Sequence, residues 1–176
     1  IGGRQGNVAE HESVLSKLGV PFKIVLCPDD LVALRGVILP GGETTTQRLL
    51  WQASGLWDAL KTTTLPLFGF CAGGIHLAND TSGKNERLSR LDIDIRRNAF
   101  GNQKESFQAR LNSPWGLIDS LFIRAPRIER IGTGVEVLSQ WEGEPVVVRE
   151  GNIWASTSHP ESCGETQWHQ AFVDSL

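Results

Sequence analysis

Leu65-Pro66-Leu67-Phe68-Gly69-Phe70-Cys71-Ala72-Gly73-Gly74 is an apolar run that passes into a turn of small residues with one thiol at its crest. A short apolar segment bounded by Pro66 and a small-residue cluster reads as a buried strand over Leu67 to Phe70. At a sharp strand-to-helix turn, side chains at Gly69 or Gly73 would collide with the turn or with the helix that follows, so such an elbow needs glycine there. The helix expected after Cys71 directs its N-terminal N–H groups toward the sulfur and favours thiolate over thiol. A lone cysteine at a strand end is more often a small buried hydrophobe. The flanking glycines argue instead for a nucleophile.

A second signal lies downstream. Ala155-Ser156-Thr157-Ser158-His159-Pro160-Glu161 places an imidazole and a carboxylate two residues apart, just beyond another expected strand. Together the two segments point to a Cys71-His159-Glu161 triad. His159 would take the thiol proton and later protonate the leaving amine, while Glu161 would hold the ring in a useful tautomer and stabilise its cation. A metal site built on His159, Cys163 and His169 is the competing reading. It carries little weight, because no Cys-x-x-Cys pair is present, Pro160 breaks any helix that would align His159 with Cys163, and Cys71 lies far away in sequence. No metal is expected.

Working outward, apolar runs alternate with helical patterns in the first half, the mark of a parallel sheet built from crossover units. Ile1 to Gly3 reads as the tail of a first strand, Val8 to Leu18 as a helix stopped by Gly19, and Phe22 to Cys27 as a strand. Val37 to Leu39 is a third strand, closed by Pro40-Gly41-Gly42. Helices are expected over Thr44 to Ala53 and, after a break at Gly55, over Leu56 to Lys61. Asp80 to Arg90 is polar and reads as a surface loop. After Leu91 the pattern changes to short alternating segments, at Asp92 to Arg96, Ser106 to Leu111, Leu121 to Arg124, Val135 to Trp141, Val146 to Arg149 and Ile153 to Thr157, some of them antiparallel. Thr166 to Leu176 closes the chain as a helix. The fold class is α/β: a three-layer sandwich with a mainly parallel central sheet flanked by helices, plus antiparallel additions in the second half.

In such a sheet, ligands gather at the carboxyl ends of the strands, where Gly41-Gly42, Cys71 and His159 all fall. Glycines after a strand often serve only a tight turn. An acyl-transfer cysteine, however, needs backbone N–H donors aimed at the developing oxyanion, and a glycine loop opposite the elbow supplies one without obstruction. Gly42 and Ala72 are the candidate donors.

Composition sets the outer limits. The 176 residues suit one domain, and a net charge of -3 with basic residues spread along the chain excludes a nucleic-acid or anionic-membrane footprint. No apolar run reaches the length of a membrane span. Three cysteines form no disulfide framework, which points to a reducing, cytoplasmic setting. The chain has no Met and no Tyr but six Trp and opens on Ile1-Gly2-Gly3, a composition that suggests a missing start or an engineered sequence.

Several blocks now appear in order: Gln5-Gly6, Leu39-Pro40-Gly41-Gly42-Glu43-Thr44-Thr45-Thr46, Gly69-Phe70-Cys71-Ala72-Gly73, Arg97-Asn98-Ala99-Phe100-Gly101, Gln103, Ser106-Phe107, Phe122-Ile123-Arg124-Ala125-Pro126 and Thr157-Ser158-His159-Pro160-Glu161. They resemble the glutaminase subunits of pyridoxal 5'-phosphate synthase, within the class I glutamine amidotransferases. The elbow and the His-Pro-Glu segment occur across the class, whereas the Arg97 and Phe122 blocks point to this subunit family.

The resemblance implies a single glutaminase domain over residues 1–176 that hydrolyses L-glutamine to glutamate and ammonia through a Cys71 thioester. It implies that ammonia passes to a separate barrel-shaped synthase subunit, and that this chain itself binds no cofactor. Carried over residue by residue, Gly42, Glu43 and Thr44 would contact glutamine, Arg97, Ile123 and Arg124 would complete the pocket, and Gln5 and Gln103 are further candidates. Either arginine suits the substrate carboxylate. Arg4, Asn102, Ser158 and His76 depart from the family pattern, the last two beneath the elbow, where an unpaired buried polar group costs about 1–3 kcal/mol. His11 and His169 read as ordinary helix-surface residues. Two other functions compete with the glutaminase: a catalytically silent synthase-binding subunit, and a ThiJ-like thiol sensor or chaperone, for which Glu43 is the sole candidate carboxylate beside the cysteine.

Overall fold

The computed structural model describes residues 1–97, 99 and 106–176. In chain order its strands are β1 (Val37–Leu39), β2 (Leu67–Phe70), β3 (Ile93–Arg96), β4 (Phe107–Ser113), β5 (Gly116–Phe122), β6 (Arg127–Ile131), β7 (Glu136–Trp141), β8 (Glu144–Glu150) and β9 (Ile153–Ser156), and its helices are α1 (Val8–Lys17), α2 (Thr44–Ala53), α3 (Leu56–Thr62), α4 (Ala72–Leu77) and α5 (Gln167–Asp174). The main sheet runs β1-β2-β9-β8-β7. β1, β2 and β9 pair in parallel, while β8 and β7 continue the sheet antiparallel.

Alternation along the central strands divides the core in two, because successive strand residues face opposite sides. Val37 and Leu39 of β1, Leu67 of β2 and Ile153 and Ala155 of β9 pack with Trp51 of α2 and Trp57 of α3. Ile38, Phe68, Phe70 and Trp154 face the other way, onto Leu15 of α1 and Trp168 and Phe172 of α5. Phe68 is fully buried, which contributes roughly 2–3 kcal/mol relative to exposure. Helices therefore cover both faces of a mainly parallel centre, the three-layer α/β arrangement expected from the sequence.

Two expected strands shrink to a single bridge. Ile1–Gly3 and Phe22–Cys27 meet only at Gly2 and Val25, in parallel, and Gly2 N–H also reaches the Ile38 carbonyl at 2.8 Å. Gly3, at φ 89°, turns the chain away before a ladder can extend. The sheet edge is thus continued by two bridged segments rather than two full strands. Arg4, just beyond, is exposed and keeps its charge in water.

In the second half, β4 and β5 form a hairpin in which β5 starts at Gly116, earlier than the expected Leu121. β3 pairs with β6, a strand absent from the sequence reading. Arg127-Ile128-Glu129-Arg130-Ile131 hides its periodicity, because the register shifts opposite Asp94 and Ile95 and leaves its two apolar residues three apart. Surface ion pairs from Arg96 to Glu129 and from Arg130 to Asp92 and Asp94 dress its outer side.

Candidate active site

Cys71 follows the last residue of β2 with φ 47° and ψ -100°, a conformation that residues with a Cβ adopt rarely and at a cost of about 1–3 kcal/mol. The surroundings impose it. The Cys71 N–H donates to the Ser156 carbonyl at 2.7 Å, and the Cys71 carbonyl accepts from Ile75 N–H at 2.9 Å as α4 begins. The flanking glycines make the turn passable. A Cβ on Gly69 would stand 2.4 Å from the Gly73 carbonyl carbon, and one on Gly73 would stand 2.1 Å from the Leu39 carbonyl oxygen.

His159 is carried to the thiol by β9 and then clamped by the hairpin. Its N–H donates to the Leu121 carbonyl at 2.8 Å, and its own carbonyl accepts from Leu121 N–H at 3.3 Å. Pro160 then starts a short 3-10 turn, Glu161–Cys163, that swings Glu161 back beneath the ring. His159 Nδ1 lies 2.7 Å from Glu161 Oε1, and the ring lines the same cleft as Cys71. Burial works against charge on this ring, but the hydrogen bonds to Cys71 and Glu161 and their negative charge prevail and raise His159 to about 10. Glu161 is itself buried, so an imidazolium beside it is the partner its charge requires.

Cys71 and His159 open on a cleft of about 260 Å³ lined by Gly41, Gly42, Glu43, Thr44, Ala72, Arg97, Ile123 and Arg124, with Asn7 and Ile75 completing it. Among the described residues the N–H groups of Gly42 and Ala72 have no acceptor within the chain. Glu43 caps α2 by accepting from Thr46 N–H at 2.8 Å, and its Oε1 lies 3.4 Å from Arg97 Nη2. The backbone hydrogen bond from Thr46, helped by the Arg97 charge, holds its carboxyl below the usual range. Arg97 is therefore already engaged. Arg124, at φ 45°, makes no ion pair among the described residues.

A model of the SNO glutamine amidotransferase family matches residues 1–176. The chain belongs to this family. Among curated relatives it is 41% identical over 173 residues to the pyridoxal 5'-phosphate synthase subunit PdxT of Koribacter versatilis, covering 96% of this chain and 90% of that one. It is 42% identical over 177 residues to the Thermus thermophilus subunit of the same name, covering 97% and 93%. A solved glutamine amidotransferase structure superposes with a TM-score of 0.92 at 38% identity, covering 99% of this chain and 98% of that chain. Another, from Thermotoga maritima, has a TM-score of 0.61 at 14% identity, covers 99% and 82%, and shares the fold.

Within this SNO family chain, the cleft gathers Cys71, His159, Gly42, Ala72, Glu43, Thr44, Arg97, Ile123 and Arg124 from the sequence reading, with Glu161 behind His159. Gln5 stands outside the lining. Its Oε1 accepts from Glu43 N–H at 3.1 Å and so braces the glycine loop from below. Gln103 lies outside the described residues.

Asn7 was missed by sequence reading, although it follows the Gln5-Gly6 block directly. Its Nδ2 lies 3.3 Å from His159 Nδ1 and donates to Glu161 Oε1. Gln47 was missed as well. Buried in α2, it donates to the Gln5 and Pro40 carbonyls at 3.2 and 3.1 Å and ties the two loops together.

Three sequence expectations need correction. His11 and His169 are not on helix surfaces: both are fully buried and lie 2.8 Å apart, Nδ1 to Nε2. Their polar edges look inward because α1 and α5 pack side by side over Phe70. Ser158 is not a polar orphan either, since it accepts from Ser120 Oγ at 2.7 Å and lies beside Ser156 in a buried hydroxyl cluster.

Proposed function

We propose that this chain hydrolyses L-glutamine to glutamate and ammonia at Cys71 and passes the ammonia to a separate synthase subunit for pyridoxal 5'-phosphate synthesis. One observation carries the reading: a cysteine held at φ 47° on a strand-to-helix elbow, opening on the same cleft as a histidine whose Nδ1 lies 2.7 Å from Glu161 Oε1. That is the arrangement an acyl-transfer cysteine needs, with a group beside the sulfur that can take its proton and later return one to the leaving nitrogen.

Glutamine would enter with its side-chain amide over Cys71 and its carboxylate on Arg124, the guanidinium left free by the Arg97–Glu43 pair. Glu43, Thr44 and Ile123 would bound the rest of the substrate. The thiolate attacks the amide carbon, and the oxyanion that forms faces the N–H groups of Gly42 and Ala72. His159 gives its proton to the departing nitrogen as the C–N bond breaks, so ammonia leaves and a thioester remains. The neutral ring then takes a proton from water, hydroxide adds to the thioester, and glutamate leaves as the thiolate and imidazolium are restored. Glu161 keeps Nδ1 protonated throughout, so Nε2 is the nitrogen that works.

The synthase partner and the fate of the ammonia rest on the relatives, which are named as subunits of pyridoxal 5'-phosphate synthase. The test is ammonia release from glutamine with the cognate synthase subunit present. Cys71→Ala is expected to abolish release, and activity that survives this change refutes the reading.

A further inference from the structure

Two buried histidines stand behind the triad with no part in the steps above. His11 near the start of α1 and His169 in α5 are both at 0% exposure, and Phe70 packs against both rings at centroid distances of 4.8 and 5.0 Å. His11 Nδ1 meets His169 Nε2 at 2.8 Å, and the other ring nitrogen of His11, Nε2, faces Glu161 Oε1 at 3.9 Å. Among the described residues His11 Nε2, His169 Nδ1 and Glu161 Oε2 have no hydrogen-bond partner.

Proton counting orders the pair. Both rings are neutral: burial first, then the neighbouring His169 and His159, holds His11 well below its usual value, and burial takes His169 to about 3. Each ring therefore carries one N–H. A lone pair on His11 Nε2 would repel the carboxylate, whereas a proton there attracts it. With Nε2 protonated, Nδ1 must accept, so His169 Nε2 must be the donor. Among the described residues Glu161 Oε1 takes His159 and Asn7 and Oε2 has no partner, so a proton on His11 Nε2, 3.9 Å from Oε1, places a further donor against a buried carboxylate.

We propose that His11 is a positioning residue for the hydrolysis, its Nε2–H turned to Glu161 and locked in that tautomer by His169, so that the carboxylate holds His159 in line with Cys71. This rests on the glutaminase reading, but its first test does not.

In ¹⁵N-labelled protein, long-range ¹H–¹⁵N correlation reports ring tautomers, with peaks assigned by their loss in His11→Gln and His169→Gln. The expected result near neutral pH is Nε2–H on both rings. A proton on His11 Nδ1, or a charged His11 ring, overturns the proposal whether or not the chain releases ammonia. The second test is kinetic, with the synthase subunit present. His11→Leu, which keeps volume and loses the donor, is expected to lower kcat about tenfold with KM changed less than about twofold, and His11→Gln to restore most of the loss. Equal kcat for the two variants, or a change confined to KM, overturns it. If His11→Leu fails to fold, the tautomers decide; if the unaltered chain releases no ammonia, the glutaminase reading falls and the tautomers still decide.

Discussion

At the scale of single residues, the candidate site is governed by where a Cβ cannot go. Gly41 shows this most directly, because a methyl group there would stand 2.3 Å from His159 Cε1 and 3.1 Å from Asn7 Oδ1. Glu161 holds the adjacent Nδ1, itself 3.3 Å from that methyl position, so the ring cannot retreat without giving up this bond. Gly41→Ala should therefore lower kcat on the order of 10²-fold while the protein stays folded, since a misplacement of about 1 Å has that effect on a positioned catalytic group. Steady-state kinetics alongside circular dichroism checks it, and an unchanged kcat would show that the loop yields instead of the ring. The Arg97–Glu43 pair belongs to the same scale. Both side chains are about half exposed, so the pair adds little stability. Its effect is to leave Arg124, among the described residues, without an ion-pair partner in the cleft.

At the scale of elements, α4 combines a required turn with an ill-suited side chain. His76 projects from it into the core beside Trp51 and Trp57, with ring centroids 4.9 and 5.5 Å away and, among the described residues, neither nitrogen hydrogen-bonded. Burial, with the charges of Arg48, Arg97 and Arg87 adding to it, drops His76 to about 3, so the ring is neutral and its polar atoms are unpaid for. His76→Leu should stabilise the fold by roughly 1–3 kcal/mol, seen as a rise of about 2–4 °C in Tm for each kcal/mol. Calorimetry on the two proteins is the check. A lower Tm for the leucine variant would mean that the contacts with the two tryptophans outweigh the unpaired nitrogens.

At the scale of the whole molecule, the buried histidines pull the pH dependence of stability in opposite directions. His76, His169 and His11 have folded pKa values below the unfolded value near 6.5. As pH falls below that value the unfolded chain takes up protons that the fold refuses, so stability declines from there toward about pH 3, by up to about 1.4 kcal/mol per pH unit for each ring. His159 is raised to about 10, so its contribution is complete below pH 6.5 and fades as pH climbs through 10. Urea titrations between pH 4 and 6.5 should show the acid loss, shallower by one ring's share in His76→Leu; equal slopes in the two proteins would contradict the assignment.

Much of this was legible beforehand. The convergence of Cys71, His159 and Glu161 was legible because an elbow and a His-Pro-Glu turn are local motifs, encoded by near neighbours in the chain. The central strands and helices α2 and α3 were legible for the same reason, since apolar periodicity and a glycine break are also local. What stayed hidden depended on partners distant in sequence. β6 is masked by a register shift that exists only opposite β3, Asn7 gains its meaning from Glu161 more than 150 positions away, and His11 and His169 looked like surface residues until α1 and α5 closed over Phe70. The sequence by itself determined the elbow, the order of the central strands and helices, and the chemistry available. Only the tertiary structure decided which polar groups would share a dry interior, because burial and hydrogen-bond pairing are properties of the packed whole and not of any segment.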